Sequence, residues 1–213
     1  MPPSTSHASP PPAEAFGLDA LARFYRLHAH LYDWTRPLLL FGRAAAVRAL
    51  DPRPGSTVLD VGCGTGFSLP LLAAFGAKVV GVEPSPAMRS RAAARIARQG
   101  LAEKVALDPR PYGSHANYEG RADRILFSYS LSMIPPFAEV LSRARLDLRP
   151  GGRLVVVDFL DAPPPVSWGL RASHVFLGGD RLAALRERFP RHEGRVHRVG
   201  LWRWFLFSGE KDA

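Results

Sequence analysis

The stretch Val58-Leu-Asp-Val-Gly-Cys-Gly-Thr-Gly66 decides the fold of this chain. An apolar run over residues 57–61 leads into glycines at 62, 64 and 66, which let a backbone turn sharply and approach a ligand without side-chain collision. Glu83 stands 21 residues after Gly62, at the end of the next apolar run. In open α/β sheets an acidic residue at that position accepts hydrogen bonds from a ribose diol. The stretch therefore predicts a site for a nucleoside cofactor.

The spacing of the glycines indicates which cofactor. A dinucleotide site has Gly-x-Gly-x-x-Gly and a helix start facing the pyrophosphate. Here the spacing is Gly-x-Gly-x-Gly, and Asp60 precedes it. A carboxylate at this point repels a pyrophosphate but suits a cation such as the ammonium of a methionine group. This favours S-adenosylmethionine over NAD.

Strands and helices alternate after this turn, which predicts a parallel sheet covered by helices on both faces. Two strands joined by Gly200 and Leu201 must pair antiparallel, because a parallel crossover needs a dozen or more residues. We expect an α/β fold with a Rossmann-like, mostly parallel seven-stranded sheet, a C-terminal antiparallel hairpin and N-terminal lid helices. The predicted strands are 57–61, 78–82, 104–107, 123–128, 154–157, 196–199 and 202–207, and the predicted helices after the turn are 68–75, 85–100, 136–148 and 181–189.

The length of 213 residues suits one well-buried domain. Residues 1–16 are rich in proline and serine and are predicted to be a disordered tail, followed by a single domain over 17–213. Within it, residues 17–50 are predicted to form a helical lid. Its first helix, 18–36, repeats apolar and aromatic residues at helical spacing, and Pro37 interrupts it before a second helix at 42–50.

Charge and cysteine content narrow the function classes. The formal net charge is +9, and 25 of the 28 basic residues are arginine. This fits either a basic face for anionic lipid or nucleic acid, or the codon bias of a GC-rich genome. No motif for nucleic acid is present, so no such partner is expected.

The lone Cys63 excludes an intrachain disulfide, and no metal-ligand spacing occurs. We expect a cytoplasmic location, because there is neither a long apolar run nor the apolar core of a signal peptide.

The glycine stretch, the Glu83 strand end and Leu148-Arg-Pro-Gly-Gly-Arg-Leu154 resemble class I S-adenosylmethionine-dependent methyltransferases. The resemblance spans about residues 40–210. It implies that the methionine end lies on Asp60, Gly62 and Gly64, that Glu83 binds the ribose, and that Asp108 is the acid near the adenine amine. The whole set of cofactor-binding residues that it implies is Asp60, Gly62, Cys63, Gly64, Gly66, Glu83, Pro84, Ser85, Met88, Asp108 and Ser128. The product would be S-adenosylhomocysteine.

Three further stretches resemble a narrower group, the bacterial N-methyltransferases that make betaine lipid from diacylglyceryl-homoserine. They are Tyr32-Asp-Trp-Thr-Arg-Pro with Leu40-Phe-Gly-Arg43, Phe127-Ser-Tyr-Ser-Leu-Ser-Met-Ile-Pro135, and Val157-Asp-Phe159. The resemblance implies an amine-bearing lipid or small-molecule acceptor and a peripheral contact with the inner membrane surface.

Candidate acceptor-site residues follow from the chemistry of methyl transfer. The amine must be neutral to attack, and a dry aromatic environment favours this while tolerating the cation that forms. Tyr129 follows a strand at the edge where such sheets bind ligands, and His174 is a candidate proton acceptor, so both are predicted as catalytic residues. Tyr25 and Tyr32 share one helix face and either contact the acceptor or pack the helix on the sheet. Arg36 is predicted to pair with an anionic group of the acceptor.

Other functions stay open at this point. A C- or O-methyltransferase of a quinone or natural product has the same cofactor motifs. A non-catalytic nucleoside-binding protein would have no physical need for Asp60, and a nicotinamide oxidoreductase would need different glycine spacing. The oligomeric state cannot be predicted.

Overall fold

The computed structural model describes residues 40–113, 118–134, 137–172, 175, 177 and 181–212. Seven strands form one sheet: β1 (Thr57–Val61), β2 (Lys78–Val82), β3 (Val105–Asp108), β4 (Ala122–Ser128), β5 (Leu148–Asp161), β6 (Arg191–Val199) and β7 (Trp202–Glu210). The described helices are α1 (Arg43–Leu50), α2 (Ser68–Ala74), α3 (Pro86–Arg98), α4 (Phe137–Asp147), α5 (Pro164–Ala172) and α6 (Arg181–Arg188), with a 3-10 turn at Leu131–Met133.

The strand order β3-β2-β1-β4-β5-β7-β6 confirms the predicted sheet. Strands β1 to β5 pair in parallel, whereas β7 is antiparallel to both β5 and β6. The strand order reverses direction between β1 and β4. In open α/β sheets the ligand binds outside the carboxyl ends of the strands at such a switch point. The glycine turn after β1 lies at this point.

Alternating side chains of the strands fill two apolar layers. On one face Val58 of β1 packs with the buried sides of α1, α2 and α3. On the other face the next residue, Leu59, packs with α4 and α6. This alternation is the two-residue period of a strand that is buried on both sides.

Two arginines of the sheet hold the carboxyl end of α1. The Nε of Arg124 donates to the carbonyl oxygens of Leu50 (2.9 Å) and Asp51 (3.2 Å). The Nη1 of Arg153 donates to the carbonyl oxygen of Ala49 at 3.1 Å. These carbonyls have no partner inside the helix, and cations there also interact favourably with the helix dipole. The far end of α1 is thereby fixed relative to β4 and β5.

The structure differs from the sequence predictions in four elements. Helix α5 is absent from the predicted helices, although its two leading prolines are well suited to a first helical turn. Strand β5 begins at Leu148 rather than at residue 154 and runs through Pro150-Gly-Gly152, with a register shift opposite Ala122 and Arg124. Strand β6 begins at Arg191 rather than at residue 196. Helix α3 spans Pro86–Arg98 within the predicted range of 85–100, and the side chain of Ser85 makes no capping hydrogen bond.

The predicted tail over residues 1–16 and the lid helix over 18–36 lie outside the described residues. Among the helices that the structure describes, none has the length and apolar character needed to cross a membrane.

The anchoring of α1 predicts a stability effect. Arg124→Met removes the charged donor from two helix-terminal carbonyls and should lower the free energy of unfolding by about 2–3 kcal/mol. Urea denaturation monitored by circular dichroism measures this. Arg186→Met, at an exposed position of α6, is the control and should change stability by no more than about 0.5 kcal/mol. Equal effects of the two substitutions would contradict the anchoring role.

Candidate active site

The glycine turn after β1 is built from three left-handed residues with different surroundings. Gly62, Gly64 and Gly66 have φ values of +69°, +58° and +77°. A Cβ on Gly62 would lie 2.5 Å from the Cβ of Ser130, and one on Gly66 would lie 3.3 Å from the Cα of Ala92 in α3. A Cβ on Gly64 would meet nothing within 4 Å. Gly62 and Gly66 therefore permit close packing of the protein on itself, whereas Gly64 borders open space in which a ligand can lie.

Glu83 is held beside this turn by backbone donors. The N–H of Gly64 donates to one carboxylate oxygen at 3.0 Å, and the N–H of Ser85 donates to the other at 2.8 Å. The guanidinium of Arg89 donates to the carbonyl oxygens of Glu83 and Pro84 at 2.9 and 3.1 Å. The side chain of Glu83 is thus buried, oriented and adjacent to the open side of Gly64, which is the position that a ribose-binding acid requires.

Asp60 is a buried carboxylate. It is fully buried near the carboxyl end of strand β1. Neither of its carboxylate oxygens has a hydrogen-bond partner in the described part of the chain. Burial raises the pKa of Asp60 to about 7, the charge of Arg43 opposes this rise, the charge of Glu83 adds to it, and the nearby side chain of Ser68 opposes it without forming a hydrogen bond of good geometry. An unpartnered buried carboxylate is costly and is expected where a ligand supplies the missing donor. A primary ammonium group, with three N–H donors and a positive charge, would supply that donor.

Four other predicted cofactor-binding residues are buried in or near the ends of β1, β2 and β4. Met88 is buried at the start of α3. Cys63 packs against Gly81 of β2, where a Cβ would lie 2.9 Å from its sulfur, and burial raises the pKa of its thiol. The buried hydroxyl groups of Ser85 and Ser128 have no partner within the described residues. The structure thus brings Cys63, Ser85 and Met88 together around β1 and β2, and it places Ser128 at the end of the adjacent β4.

Asp108 ends β3 beside Glu83, whose N–H donates to the Asp108 carbonyl oxygen at 3.0 Å. Its carboxylate already accepts from the Arg110 guanidinium, at 2.6 Å for the closest contact, and from the hydroxyl of Tyr118. These contacts hold the pKa of Asp108 well below its usual range. Asp108 is therefore near the predicted adenine position, but its role as acceptor from an adenine amine stays a prediction that would require Arg110 or Tyr118 to move.

Tyr129 has an unusual backbone conformation for an aromatic residue, with a φ of +58° directly after β4. It is 97% buried, its hydroxyl donates to the carbonyl oxygen of Phe41 at 2.8 Å, and its ring lies 4.7 Å from that of Phe159. Burial raises the pKa of Tyr129 above its usual value. The structure thus gives Tyr129 an anchoring contact with the segment before α1, and its catalytic role stays a prediction.

Tyr129 belongs to an aromatic row that crosses the carboxyl edge of the sheet. Phe159 of β5 is paired with Trp204 of β7, whose ring stacks on His197 of β6 at 4.2 Å. A Cβ on Gly42 would collide with the Trp204 ring, so this glycine lets the start of α1 lie directly on the row. The indole nitrogen of Trp204 is buried and has no partner in the described part of the chain.

Two functional features were missed by sequence reasoning. Arg43, at the start of α1, lies 4.7 Å above the ring of Phe67 and lowers the pKa of Asp60 through its charge. Asp158 is fully buried in β5 and accepts from the N–H and hydroxyl of Ser132, both at 2.7 Å, which fixes the 3-10 turn after β4. Both residues stood in stretches quoted for the resemblance to the betaine-lipid group, but neither was predicted as a site residue.

The predicted acceptor residues Tyr25, Tyr32 and Arg36, and the predicted catalytic His174, lie outside the described residues. The structure therefore does not place them relative to the turn, and they remain predictions.

Comparison with known proteins gives the family. Residues 28–210 match the family described as methyltransferase domain. A protein-L-isoaspartate O-methyltransferase of Methylorubrum populi is 38% identical over 115 residues, covering 53% of this chain and 50% of that protein. A demethylmenaquinone methyltransferase of Tropheryma whipplei is 33% identical over 145 residues, covering 65% and 59%. This chain thus spans between half and three fifths of the length of these curated relatives.

A solved structure has the same fold. The phosphoethanolamine N-methyltransferase 2 of Haemonchus contortus, in complex with phosphomonomethylethanolamine and S-adenosylhomocysteine, superposes with a TM-score of 0.77 at 15% identity. The superposition covers 91% of this chain and 60% of that one. Because the family match extends over more than four fifths of the sequence, the chain belongs to the methyltransferase domain family.

Proposed function

We propose that this chain transfers methyl groups from S-adenosylmethionine to an amine, such as a lipid headgroup of the homoserine betaine or aminophospholipid type. The observation that carries the proposal is the buried, unpartnered carboxylate of Asp60 beside the open face of Gly64 and the oriented carboxylate of Glu83. A methionine ammonium complements Asp60, and a ribose diol complements Glu83. NAD would place its pyrophosphate at such a turn, and the carboxylate of Asp60 would repel it.

In this proposal the cofactor lies along the carboxyl edge of β1 and β2. Gly62, Cys63, Gly64 and Gly66 form the turn under its methionine end, with Ser128 at the adjacent strand end. Pro84, Ser85 and Met88 flank the adenine, with Asp108 beyond them. When bound, S-adenosylmethionine supplies an electrophilic methyl group on a sulfonium sulfur.

The residues of the chain then act by position and by exclusion of water. Methyl transfer is an in-line displacement, so the chain must hold a neutral amine on the axis of the departing sulfur. The turn after β4 can do this, because Ser130 donates to the Val61 carbonyl at 2.6 Å and Ser132 is bound to Asp158. These hydrogen bonds fix the turn after β4, which would face the methyl acceptor, to both β1 and β5. Tyr129 and the segment containing Tyr25, Tyr32 and Arg36 would exclude water, and His174 would take the proton that the amine loses.

A second candidate is C- or O-methylation of a quinone or a small natural product. It is favoured by similarity to a demethylmenaquinone methyltransferase. The N-methyl proposal draws instead on the similarity of residues 127–135 and 157–159 to the betaine-lipid group and on the fold of a phosphoethanolamine N-methyltransferase. Action on a lipid would place the chain in the cytoplasm at the inner membrane surface. A non-catalytic nucleoside-binding protein is disfavoured, because Asp60 would impose a burial cost without a use.

The pKa of Asp60 predicts how cofactor affinity depends on pH. Because only the ionised carboxylate pairs with an ammonium, affinity for S-adenosylhomocysteine should fall roughly tenfold per pH unit below about 7 and level off above it. Asp60→Asn should bind more weakly and lose this dependence between about pH 5.5 and 7.5. Calorimetric titrations of both proteins at several pH values test it. An equal pH dependence in the variant would contradict the role of Asp60.

Removal of the Glu83 carboxylate should weaken cofactor binding by removing charged acceptors of ribose hydrogen bonds. Glu83→Ala should cost about 1.5–3 kcal/mol, which is about 10- to 150-fold in Kd for S-adenosylhomocysteine. Glu83→Gln is the matched control: it removes the charge but keeps one of the two oxygens that accept from the N–H groups of Gly64 and Ser85, and it should lose less. Calorimetry with NAD on the unaltered protein should show no binding. Binding of NAD, or unchanged affinity in Glu83→Ala, would overturn the cofactor assignment.

The acceptor can be identified by turnover of labelled S-adenosylmethionine against a panel. Amine lipids in vesicles or detergent, soluble amines and reduced quinones would be tested in parallel, with mass spectrometry of the products. We expect repeated methylation of one nitrogen of an amine lipid. Transfer exclusively to carbon or oxygen of an aromatic compound would reject the N-methyl proposal in favour of the second candidate.

A further inference from the structure

Helix α2 and its flanking phenylalanines form an apolar segment at the surface of the protein. Phe67, Leu71 and Phe75 follow one another at intervals of four residues and are 39%, 37% and 43% exposed. Residues spaced by four lie on one side of a helix, so these three form a single apolar stripe. The opposite side of α2 carries Leu69 and Leu72, which are fully buried against the sheet. No charged residue occurs between Phe67 and Ala77.

A helix that is apolar on all sides is expected to have apolar surroundings on all sides. The sheet provides these surroundings for one side of α2. The other side, the Phe67-Leu71-Phe75 stripe, is left partly exposed. This arrangement points to an apolar partner for the stripe.

The helices on either side of α2 carry charge of one sign. Helix α1 packs against α2, and α3 approaches the start of α2 at Gly66. Helices α1 and α3 contain no aspartate or glutamate, and their basic residues are Arg43, Arg48, Arg89, Arg91, Arg95 and Arg98. On the opposite face of the sheet α4 and α6 mix both signs, with Glu139, Asp147 and Glu187 among their arginines. Protein surfaces ordinarily intersperse the two signs of charge. The two helices beside the apolar stripe therefore carry an excess of positive charge without any acidic residue, unlike α4 and α6.

We infer that this face, defined as α1, α2 and α3 with the Phe67-Leu71-Phe75 stripe at its centre, docks on an anionic lipid bilayer. Arginines near a bilayer surface are attracted to anionic headgroups, and phenylalanine and leucine side chains insert at the boundary between headgroups and acyl chains. A nucleic acid would satisfy the arginines and could stack on the two phenylalanines, but the sequence contains no nucleic-acid-binding motif, whereas a bilayer accommodates the arginines, Leu71 and the phenylalanines together.

The stripe begins at the cofactor turn. Phe67 follows Gly66 directly, and Arg43 lies over its ring while acting on Asp60. A bilayer in contact with the stripe would therefore lie beside the carboxyl edge of β1, where a headgroup amine must reach the methyl donor. This inference deepens the proposed function, on which it rests for its biological meaning, but membrane docking can be measured without any methyl transfer.

The test is sedimentation of the full chain with vesicles in the absence of cofactor. Vesicles of phosphatidylcholine alone are compared with vesicles containing about 30% phosphatidylglycerol. We expect binding to the anionic vesicles, little binding to the neutral ones, and a loss of binding as salt rises from about 0.1 M to about 0.5 M. Equal binding to neutral vesicles, or none to anionic ones, would overturn the inference.

Two sets of variants locate the surface. Phe67→Ser with Leu71→Ser and Phe75→Ser should weaken binding to anionic vesicles roughly tenfold or more. Leu146→Ser, at a 59% exposed position of α4 on the opposite face, is the apolar control and should bind normally. Arg48→Glu with Arg98→Glu should weaken binding similarly, whereas Arg186→Glu with Arg195→Glu makes the same change in net charge elsewhere and should have a smaller effect. All four substituted positions are exposed.

The arginine pair keeps the test valid if the serine variant does not fold. Unchanged binding in Arg48→Glu with Arg98→Glu would reject the face. An equal loss in the Arg186 and Arg195 control would assign the attraction to net charge alone and would also reject the face. If residues 1–39 cover the stripe instead of lipid, the serine substitutions would lower the melting temperature and leave vesicle binding intact. Glu83→Ala should bind vesicles normally, so loss of cofactor binding and loss of docking are separable outcomes.

Discussion

The burial of the Asp60 carboxylate is the constraint on which the site depends. A rise in its pKa from 3.8 to about 7 corresponds to a free-energy cost on the order of 4 kcal/mol for ionisation inside the fold. The unfolded chain ionises Asp60 near its ordinary pKa, whereas the folded chain holds the proton up to about pH 7. Ionisation of Asp60 therefore lowers the free energy of unfolding progressively as pH rises from 3.8 to about 7, and the loss levels off above pH 7. A cationic ligand would remove the cost, so the same carboxylate that weakens the fold favours ligand binding.

The surrounding structure makes this arrangement rigid before any ligand arrives. Gly62 and Gly66 allow the turn to contact Ser130 and α3 at distances that a side chain would forbid, and Glu83 is fixed by the backbone of Gly64 and Ser85. The hydrogen bond from the Ser132 hydroxyl to the Asp158 carboxylate fixes the turn after β4 in its position. A site that is already in its binding geometry loses little conformational entropy on binding. The local backbone strain at Tyr129 is thus compensated by packing, as is typical of ligand-binding turns.

The mostly parallel seven-stranded sheet, the C-terminal hairpin and the positions of Asp60, Gly64 and Glu83 at strand ends could be predicted, because they depend on local patterns of apolar residues, glycines and acids. The contacts of Tyr129 could not, since they depend on Phe41, which is 88 residues away along the chain. The same holds for Asp108, whose neighbour Arg110 gave no sign in the sequence of folding back on its carboxylate. Helix α5 was missed because two prolines are compatible with both a link and a first helical turn. Long-range side-chain partners are what local sequence patterns leave undetermined.

The start of α1 connects the features that the sequence presented separately. Gly42 lies on Trp204, the carbonyl of Phe41 accepts from Tyr129, and Arg43 covers Phe67. The other end of α1 is fixed by Arg124 and Arg153, so the helix cannot shift to relieve a change at its start. Displacing the Phe67 ring therefore requires Arg43 to adjust, and the charge of Arg43 opposes the rise that burial causes in the pKa of Asp60. The apolar stripe and the cofactor turn are thus adjacent in sequence at Gly66 and Phe67, and both are in reach of Arg43. A contact at the stripe that moves Arg43 would therefore change the ionisation of Asp60.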